Sequence, residues 1–287
     1  MNILIFEKPD FISSDTFVVS GQRARHIIEI LRAEIGDTIK IGELNGNIGV
    51  GEIVEFSSSS LRTRETSPVI PAFAGMTRKK TGMTDTPTSA TCDRPCETVT
   101  IKILDLATPS LQPHADLILA LPRPQMLKRI LENVASLGVR NIYLIKSEKV
   151  EKSFFSSPVL NDENIKKHLL LGLEQSATTI LPRVKIYKNF KQFVGELSGD
   201  DFSADRYAVK FIAHNKTDAD DLRNVVNVVN IQQQSKQNSI IAIGPEGGWT
   251  ENEVQIFIDK GFQCISLGNR ILRVETAVYV ALWKCNF

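Results

Sequence analysis

Residues 239–254 read Ser-Ile-Ile-Ala-Ile-Gly-Pro-Glu-Gly-Gly-Trp-Thr-Glu-Asn-Glu-Val, an apolar run that breaks into glycines and then into a helix start. Gly244, Gly247 and Gly248 remove Cβ atoms where backbone must approach a ligand, and Pro245 stiffens the turn. Thr250 and Glu253 stand three apart as N-cap and N3 of a capping box, so a helix is expected just after the loop, ending at Gly261. Such a loop at the carboxyl end of a strand is where open α/β sheets bind ligands. No Gly-Lys-Ser/Thr ending follows and no GxGxxG spacing is present, which disfavours nucleotide phosphate. A second loop follows one strand later, Ser266-Leu-Gly-Asn-Arg-Ile-Leu-Arg-Val-Glu-Thr-Ala277, leading into a helix expected over 274–285. Two such loops at one sheet edge would form a composite pocket.

The elements that must position these loops alternate strand and helix from residue 113 onward, the pattern of a mostly parallel α/β domain over 113–287. Strands are expected at 116–121, 141–145, 184–187 and 207–213, and helices at 124–137, 163–176 and 189–197. The first helix is the clearest: Leu127, Ile130, Leu131, Val134 and Ala135 recur at helical spacing, and Gly138 supplies the stop. The Asn-, Val- and Gln-rich stretch 224–239 fits no element.

Residues 1–112 read differently. Short apolar runs at 3–6, 17–19, 39–41, 48–56 and 98–104 predict strands, with one helix over 23–31, together a small β-barrel. Asn45-Gly46 predicts a type I′ hairpin turn. Between the last two strands, about 58–95, Ser, Thr, Pro, Arg and Lys replace apolar residues; such a segment cannot offset its ordering entropy and reads as a disordered insert.

Composition narrows the function classes. In 287 residues, 34 Lys+Arg against 33 Asp+Glu leave a net charge of +1, so any contact with nucleic acid must come from local clustering. No apolar run is long enough for a bilayer, and the start lacks a basic n-region with an apolar core, so a cytoplasmic location is expected with no membrane partner. Cys92, Cys96, Cys264 and Cys285 offer no paired metal-ligand spacing, and no metal is expected.

At the two loops the chain resembles the SPOUT superfamily, specifically the 16S ribosomal RNA uridine N3-methyltransferases, whose signatures are Gly-Pro-Glu-Gly-Gly and Leu-Gly-x-Arg-Ile-Leu-Arg-x-Glu-Thr-Ala. The resemblance extends to Leu121-Pro-Arg-Pro-Gln-Met-Leu-Lys-Arg129 and Gly172-Leu-Glu-Gln-Ser176, and to His26 and Ile30-Leu31-Arg32 in a PUA-like barrel. Departures are Ser136 where the family commonly has Glu, and Ala177 and Thr178 where an arginine is usual.

The resemblance implies a trefoil knot, a homodimer, and S-adenosyl-L-methionine held by Ala213, His214, Ile243, Gly244, Pro245, Gly247, Gly248, Leu267, Gly268, Ile271 and Leu272. From pattern alone, Leu267 and Leu272 could equally be core. Arg273 is favoured over Arg270 as the cation that stabilises a developing uracil anion; Glu246 and Glu275 are the general-base candidates, though either could instead serve loop or helix stability. Contact with 16S ribosomal RNA or the assembled small subunit is expected from Arg32, Arg123, Lys128, Arg129, Lys149 and Arg270, within a basic stretch that also holds Arg140, Lys146 and Lys152. A non-catalytic ribosome-assembly factor, a paralogous RNA methyltransferase with another target and a nucleotide-dependent enzyme are the competing readings.

Overall fold

The computed structural model describes residues 2–59, 96–113, 115–197, 199, 202, 206–214 and 238–286. Most of the expected insert at 58–95 and of the stretch at 224–239 lies outside them, as does Cys92. The elements in chain order are β1 (Leu4–Phe6), β2 (Thr16–Ser20), α1 (Gly21–Arg25), β3 (Thr38–Glu43), β4 (Ile48–Ser59), β5 (Cys96–Thr108), β6 (Ala115–Ala120), α2 (Pro124–Ser136), β7 (Val139–Ile145), α3 (Asp162–Ser176), β8 (Arg183–Tyr187), α4 (Phe190–Glu196), β9 (Val209–Ala213), β10 (Ser239–Ile243), α5 (Glu251–Asp259), β11 (Gln263–Ile265) and α6 (Val274–Asn286). The chain divides into two compact units: Met1–Lys8 with Ile39–Gly51 and Ile103–Phe287, and Pro9–Thr38 with Glu52–Lys102.

The larger unit is built on a six-stranded sheet in the order β11-β9-β10-β6-β7-β8, parallel at every pairing. β6 and β10 are buried at every residue, which is why they are almost wholly apolar, Asp116 and Ser239 excepted. β10 lies between β6 and β9, so the chain returns to a central position after β9 has been laid on the far side. That is not the order of a simple doubly wound sheet. The helices follow their periodicity: Leu127, Ile130, Leu131, Val134 and Ala135 form the buried face of α2. α3 begins under an Asn161 cap and ends at Ala177 in the left-handed region, φ 55°. It packs on α2 so closely that a Cβ at Gly172 would stand 2.0 Å from the Glu132 carbonyl oxygen. Among the described residues no helix is long and apolar enough to cross a membrane.

At the amino ends of the strands sits a buried ionic cluster. Asp116 on β6 is fully buried and accepts from Arg140 Nε at 3.0 Å, from the Asn141 backbone N–H at 3.2 Å, from Asn141 Nδ2 at 2.8 Å and from the Tyr207 hydroxyl. Arg140 also donates to Asn238 Oδ1 at 3.1 Å. Burial and the adjacent Asp116 charge push the Tyr207 hydroxyl well above its ordinary pKa, so it stays a donor. Arg140, grouped with the basic surface by sequence, is committed to this cluster.

The first strands form a five-stranded sheet in the order β1-β3-β4-β5-β2. In the smaller unit β2 pairs antiparallel with β5, and Phe17, Val19, Ala24, Ile27, Ile53, Val99 and Ile101 are buried. The helix expected over 23–31 begins as α1 and continues as a π-type turn, His26–Ile30, closed by Leu31 N–H donating to the His26 carbonyl at 3.0 Å. The widened turn breaks the helical register: Ile27 stays buried while Ile30 and Leu31 are exposed. In the larger unit, the connection between β3 and β4 is not the type I′ turn expected. Only Asn45 takes positive φ, at 60°, while Gly46 does not. Asn45 is held there because its N–H donates to the Thr179 carbonyl and its Oδ1 accepts from Leu181 N–H.

Candidate cofactor pocket

β10 delivers its last residue, Ile243, into the loop 244–250 at the carboxyl edge of the sheet. Gly248 N–H donates to the Pro245 carbonyl at 2.8 Å, and Gly248 takes φ +67°, a conformation that side chains strain. A Cβ at Gly244 would meet the Trp249 backbone nitrogen and Nε1 at 3.2 Å, so this position tolerates little more than glycine. Trp249 is buried and packs against Phe257 of α5, ring centroids 5.1 Å apart, which ties the loop to the helix that follows. The capping box is present: Glu253 N–H donates to Thr250 Oγ1 and Thr250 N–H to Glu253 Oε2. The other oxygen of Glu253 accepts from Glu148 N–H at 2.9 Å, and Lys149 Nζ donates to the Gly247 carbonyl at 2.8 Å. The segment after β7 thus clamps the loop from outside. Lys149, expected to reach RNA, spends its ammonium on a loop carbonyl.

β11 feeds the second loop, in which Gly268 takes φ +123° and its N–H donates to Ser266 Oγ. The first residue after β9 joins the same edge, His214 N–H donating to the Ile265 carbonyl at 3.1 Å. Together these segments enclose a cavity of about 320 Å³. All eleven residues expected to hold the cofactor line it: Ala213, His214, Ile243, Gly244, Pro245, Gly247, Gly248, Leu267, Gly268, Ile271 and Leu272. Glu246 and Arg270 line it as well; Arg273 and Glu275 do not. Arg273 is exposed just before α6, its carbonyl accepting from Ala277 N–H, and one oxygen of Glu275 is buried with no hydrogen-bond partner. Sequence reasoning missed Trp249, Val274 and Ala277 in the lining. Trp249 stands inside the Gly-Gly-Trp-Thr segment, but only packing shows it turned inward.

The lining combines glycines and apolar side chains with His214, Glu246 and Arg270. Trp249 Nε1 is buried without a partner, an unsatisfied donor at the wall of the cavity. Among the residues expected to bind RNA, Arg123, Lys128 and Arg129 are exposed at the start of α2, and the Arg123 N–H donates to Glu246 Oε1 at 3.3 Å. Arg32, in the smaller unit, is exposed with positive φ, 51°. Among the described residues no group of His, Cys, Asp and Glu is arranged to hold a metal.

Comparison with known proteins bears on this geometry. Ribosomal RNA small subunit methyltransferase E of Treponema pallidum is 33% identical over 165 residues, covering 58% of this chain and 59% of that protein. Ribosomal RNA small subunit methyltransferase E 1 of Borreliella burgdorferi is 30% identical over 164 residues, covering 57% of this chain and 63% of that protein. The matched part therefore spans about six tenths of the length of these curated relatives. In fold the chain is similar to a crystal structure of a ribosomal RNA small subunit methyltransferase E from Neisseria gonorrhoeae bound to S-adenosyl methionine, with TM-score 0.61 and 20% identity over 98% of this chain and 95% of that one. A model of the RNA methyltransferase domain matches residues 109–285, more than half of the sequence, and the chain belongs to that family.

Proposed function

We propose that this protein is an S-adenosyl-L-methionine-dependent methyltransferase acting on N3 of a uridine in 16S small-subunit ribosomal RNA. The observation that carries the reading is the cavity at the carboxyl edge of the sheet, where both glycine-containing loops and the end of β9 meet around a backbone-rich lining. The residues fit the cofactor: Gly244 leaves room for Trp249 to pack, Gly248 leaves open space where a Cβ would stand, and the unpaired Trp249 N–H offers a donor to a polar atom of the ligand. When bound, the cofactor supplies an electrophilic sulfonium methyl.

The chain's own residues must orient uracil and deal with its N3 proton, since the neutral imide is a poor nucleophile. This reading gives that proton to Glu246, supported by its lining the cavity, where one of its oxygens accepts from the Arg123 N–H. A cation near the uracil oxygens would stabilise the developing anion. The sequence favours Arg273; this reading assigns the role to Arg270 instead, supported by its lining the cavity, which Arg273 does not. Glu275, one residue into α6, then serves the helix start rather than the reaction.

Three further features belong to this reading. The late insertion of β10 between β6 and β9 supports a trefoil knot in the methyltransferase domain, 113–287. The five-stranded sheet of the first strands supports a PUA-like RNA-binding barrel over 1–112, presenting Arg32 to RNA. Exposed Trp283 on α6 and Ile271, 96% exposed, support a homodimer that covers them. A ribosomal RNA substrate places the protein in the cytoplasm.

The test is transfer of radiolabelled methyl to small subunits that lack the modification, followed by reverse transcription. An N3 methyl blocks the pairing edge, so polymerase should stop at one uridine. Binding of subunits without transfer of label would favour an assembly factor instead.

A further inference from the structure

A second cavity, of about 490 Å³, opens at the same carboxyl edge of the sheet, beyond β7 and β8. Its walls carry Lys146 directly after β7, Lys188 directly after β8, and Lys191 in the first turn of α4. None of the three makes an ion pair with a described residue. Two carboxylates also line it, Glu148 and Glu253, but Glu253 is buried and already accepts from Thr250 N–H, Thr250 Oγ1 and Glu148 N–H. At the base lies Ser147, 1% exposed, whose hydroxyl has no hydrogen-bond partner. A buried hydroxyl left without a partner is destabilising, so this one calls for an acceptor that the described residues do not supply.

We propose that this cavity binds a phosphodiester of the substrate RNA, with the Ser147 hydroxyl and the ammonium groups of Lys146, Lys188 and Lys191 as its donors. The inference rests on the reading of the protein as an RNA methyltransferase. Three lysines lining one cavity and one hydroxyl donor suit a compact tetrahedral anion; lysine binds phosphate as a point charge. Location selects RNA over a free anion. Interstrand spacing of about 4.8 Å puts the ends of β7 and β8 roughly 10–15 Å from the end of β10, within reach of a nucleotide or two beside one seated at the cofactor pocket. The two sites are also joined covalently and by hydrogen bonds. The segment 146–149 lines the lysine cavity with its first residues and, through Lys149, bonds the Gly247 carbonyl of the cofactor loop. A backbone phosphate held at one end of this segment would set the register of the RNA against the loop at its other end.

The experiment measures binding of a small-subunit RNA fragment at several salt concentrations, for wild type, Lys188→Ala/Lys191→Ala and Lys188→Arg/Lys191→Arg, with cofactor affinity measured in parallel. Removal of two phosphate-facing charges should weaken RNA binding at least tenfold at low salt. The slope of log Kd against log salt should fall by about 1.4–1.8, from 0.7–0.9 per neutralised phosphate charge. Cofactor affinity and the melting temperature should not move, and the arginine variant should retain RNA affinity. Ser147→Ala should weaken RNA binding several-fold without changing the salt slope. Inorganic phosphate competing with RNA at low millimolar concentration would show a free-anion site, and the proposal would fall. It would also fall if the double alanine variant kept the wild-type slope, or if the arginine variant lost as much as alanine. Should wild type bind RNA with the expected slope yet transfer no methyl, the functional reading fails while the phosphate site stands.

Discussion

The two ends of the parallel sheet solve opposite problems with the same strands. At the amino edge, Asp116 is fully buried yet saturated by Arg140, Asn141 and Tyr207, and every donor in that cluster finds an acceptor. At the carboxyl edge, Trp249 Nε1 and Ser147 Oγ are buried with none. Glycines with positive φ stand at both ends, Gly138 and Gly261 before β7 and β11 and Gly248 and Gly268 beyond β10 and β11, but only the latter pair lines the cavity of about 320 Å³. A closed polar cluster fixes strand register and admits no ligand, whereas unsatisfied donors beside open cavities are what a ligand completes. The difference separates a cluster that holds the strands together from an edge left open to a ligand.

The largest effect should come from the closed end. Asp116→Ala strands Arg140 in a half-buried site and leaves Tyr207 without its acceptor, so unfolding free energy should fall by about 3–5 kcal/mol in urea titration. The folded fraction should bind cofactor with unchanged affinity. A loss below about 1 kcal/mol would show the cluster to be dispensable and erase the contrast between the two edges.

At the open end, activity should suffer and stability should not. Arg270→Ala is expected to remove about 2–4 kcal/mol of transition-state stabilisation in single-turnover methyl transfer, with melting temperature and cofactor affinity intact. Arg273→Ala serves as the comparison and should lose less, because its side chain lies outside the cavity lining. The reverse ranking would return the catalytic role to Arg273.

Gly248→Val should be milder in stability and severe in binding. No atom lies within 4 Å of a Cβ placed there, so the penalty is the strain of φ +67°, about 1–2 kcal/mol, rather than a clash within the protein. The side chain would project into open space where a ligand must come, and cofactor affinity by calorimetry should fall at least tenfold, about 1.4 kcal/mol. A folded variant with wild-type affinity would remove this loop from the pocket.

The smallest effect belongs to neither edge. On β8, Lys185 and the Tyr187 hydroxyl both donate to Glu196, and these bonds hold its carboxyl below the ordinary value; Tyr187 itself is pushed up to about 12, chiefly by burial. A carboxylate with a depressed pKa contributes stability above its unfolded value and loses it as pH falls through the folded one. Glu196→Gln should therefore lower the melting temperature near neutrality, and the gap to wild type should close in acid. The pair is largely exposed, so the effect stays under about 1 kcal/mol. A gap that persists in acid would assign the loss to packing.

Local features were legible in the sequence. The Thr250–Glu253 capping box, the buried face of α2, the glycine stop at 138 and the strand-loop-helix order of both pocket segments depend on neighbours within a few residues, and each is present in the structure. The eleven residues that the family resemblance implied for a cofactor all line one cavity, because the two loops carry nearly all of it on short, contiguous stretches. What escaped was decided by partners far along the chain. The sequence has no mark that sends Tyr207 to Asp116, 91 residues away, or Lys149 to the Gly247 carbonyl, 98 residues away. Each pairing exists only because the strand order brings the segments together. That order was itself hidden, since periodicity reports which face of a strand is buried and not which strand lies beside it. Asn45 takes positive φ in place of Gly46 because Thr179 and Leu181 bind it there, a tertiary contact overriding a local turn preference. Lys146, Lys188 and Lys191 look like scattered surface charges along the chain and become one cluster only because adjacent parallel strands end side by side.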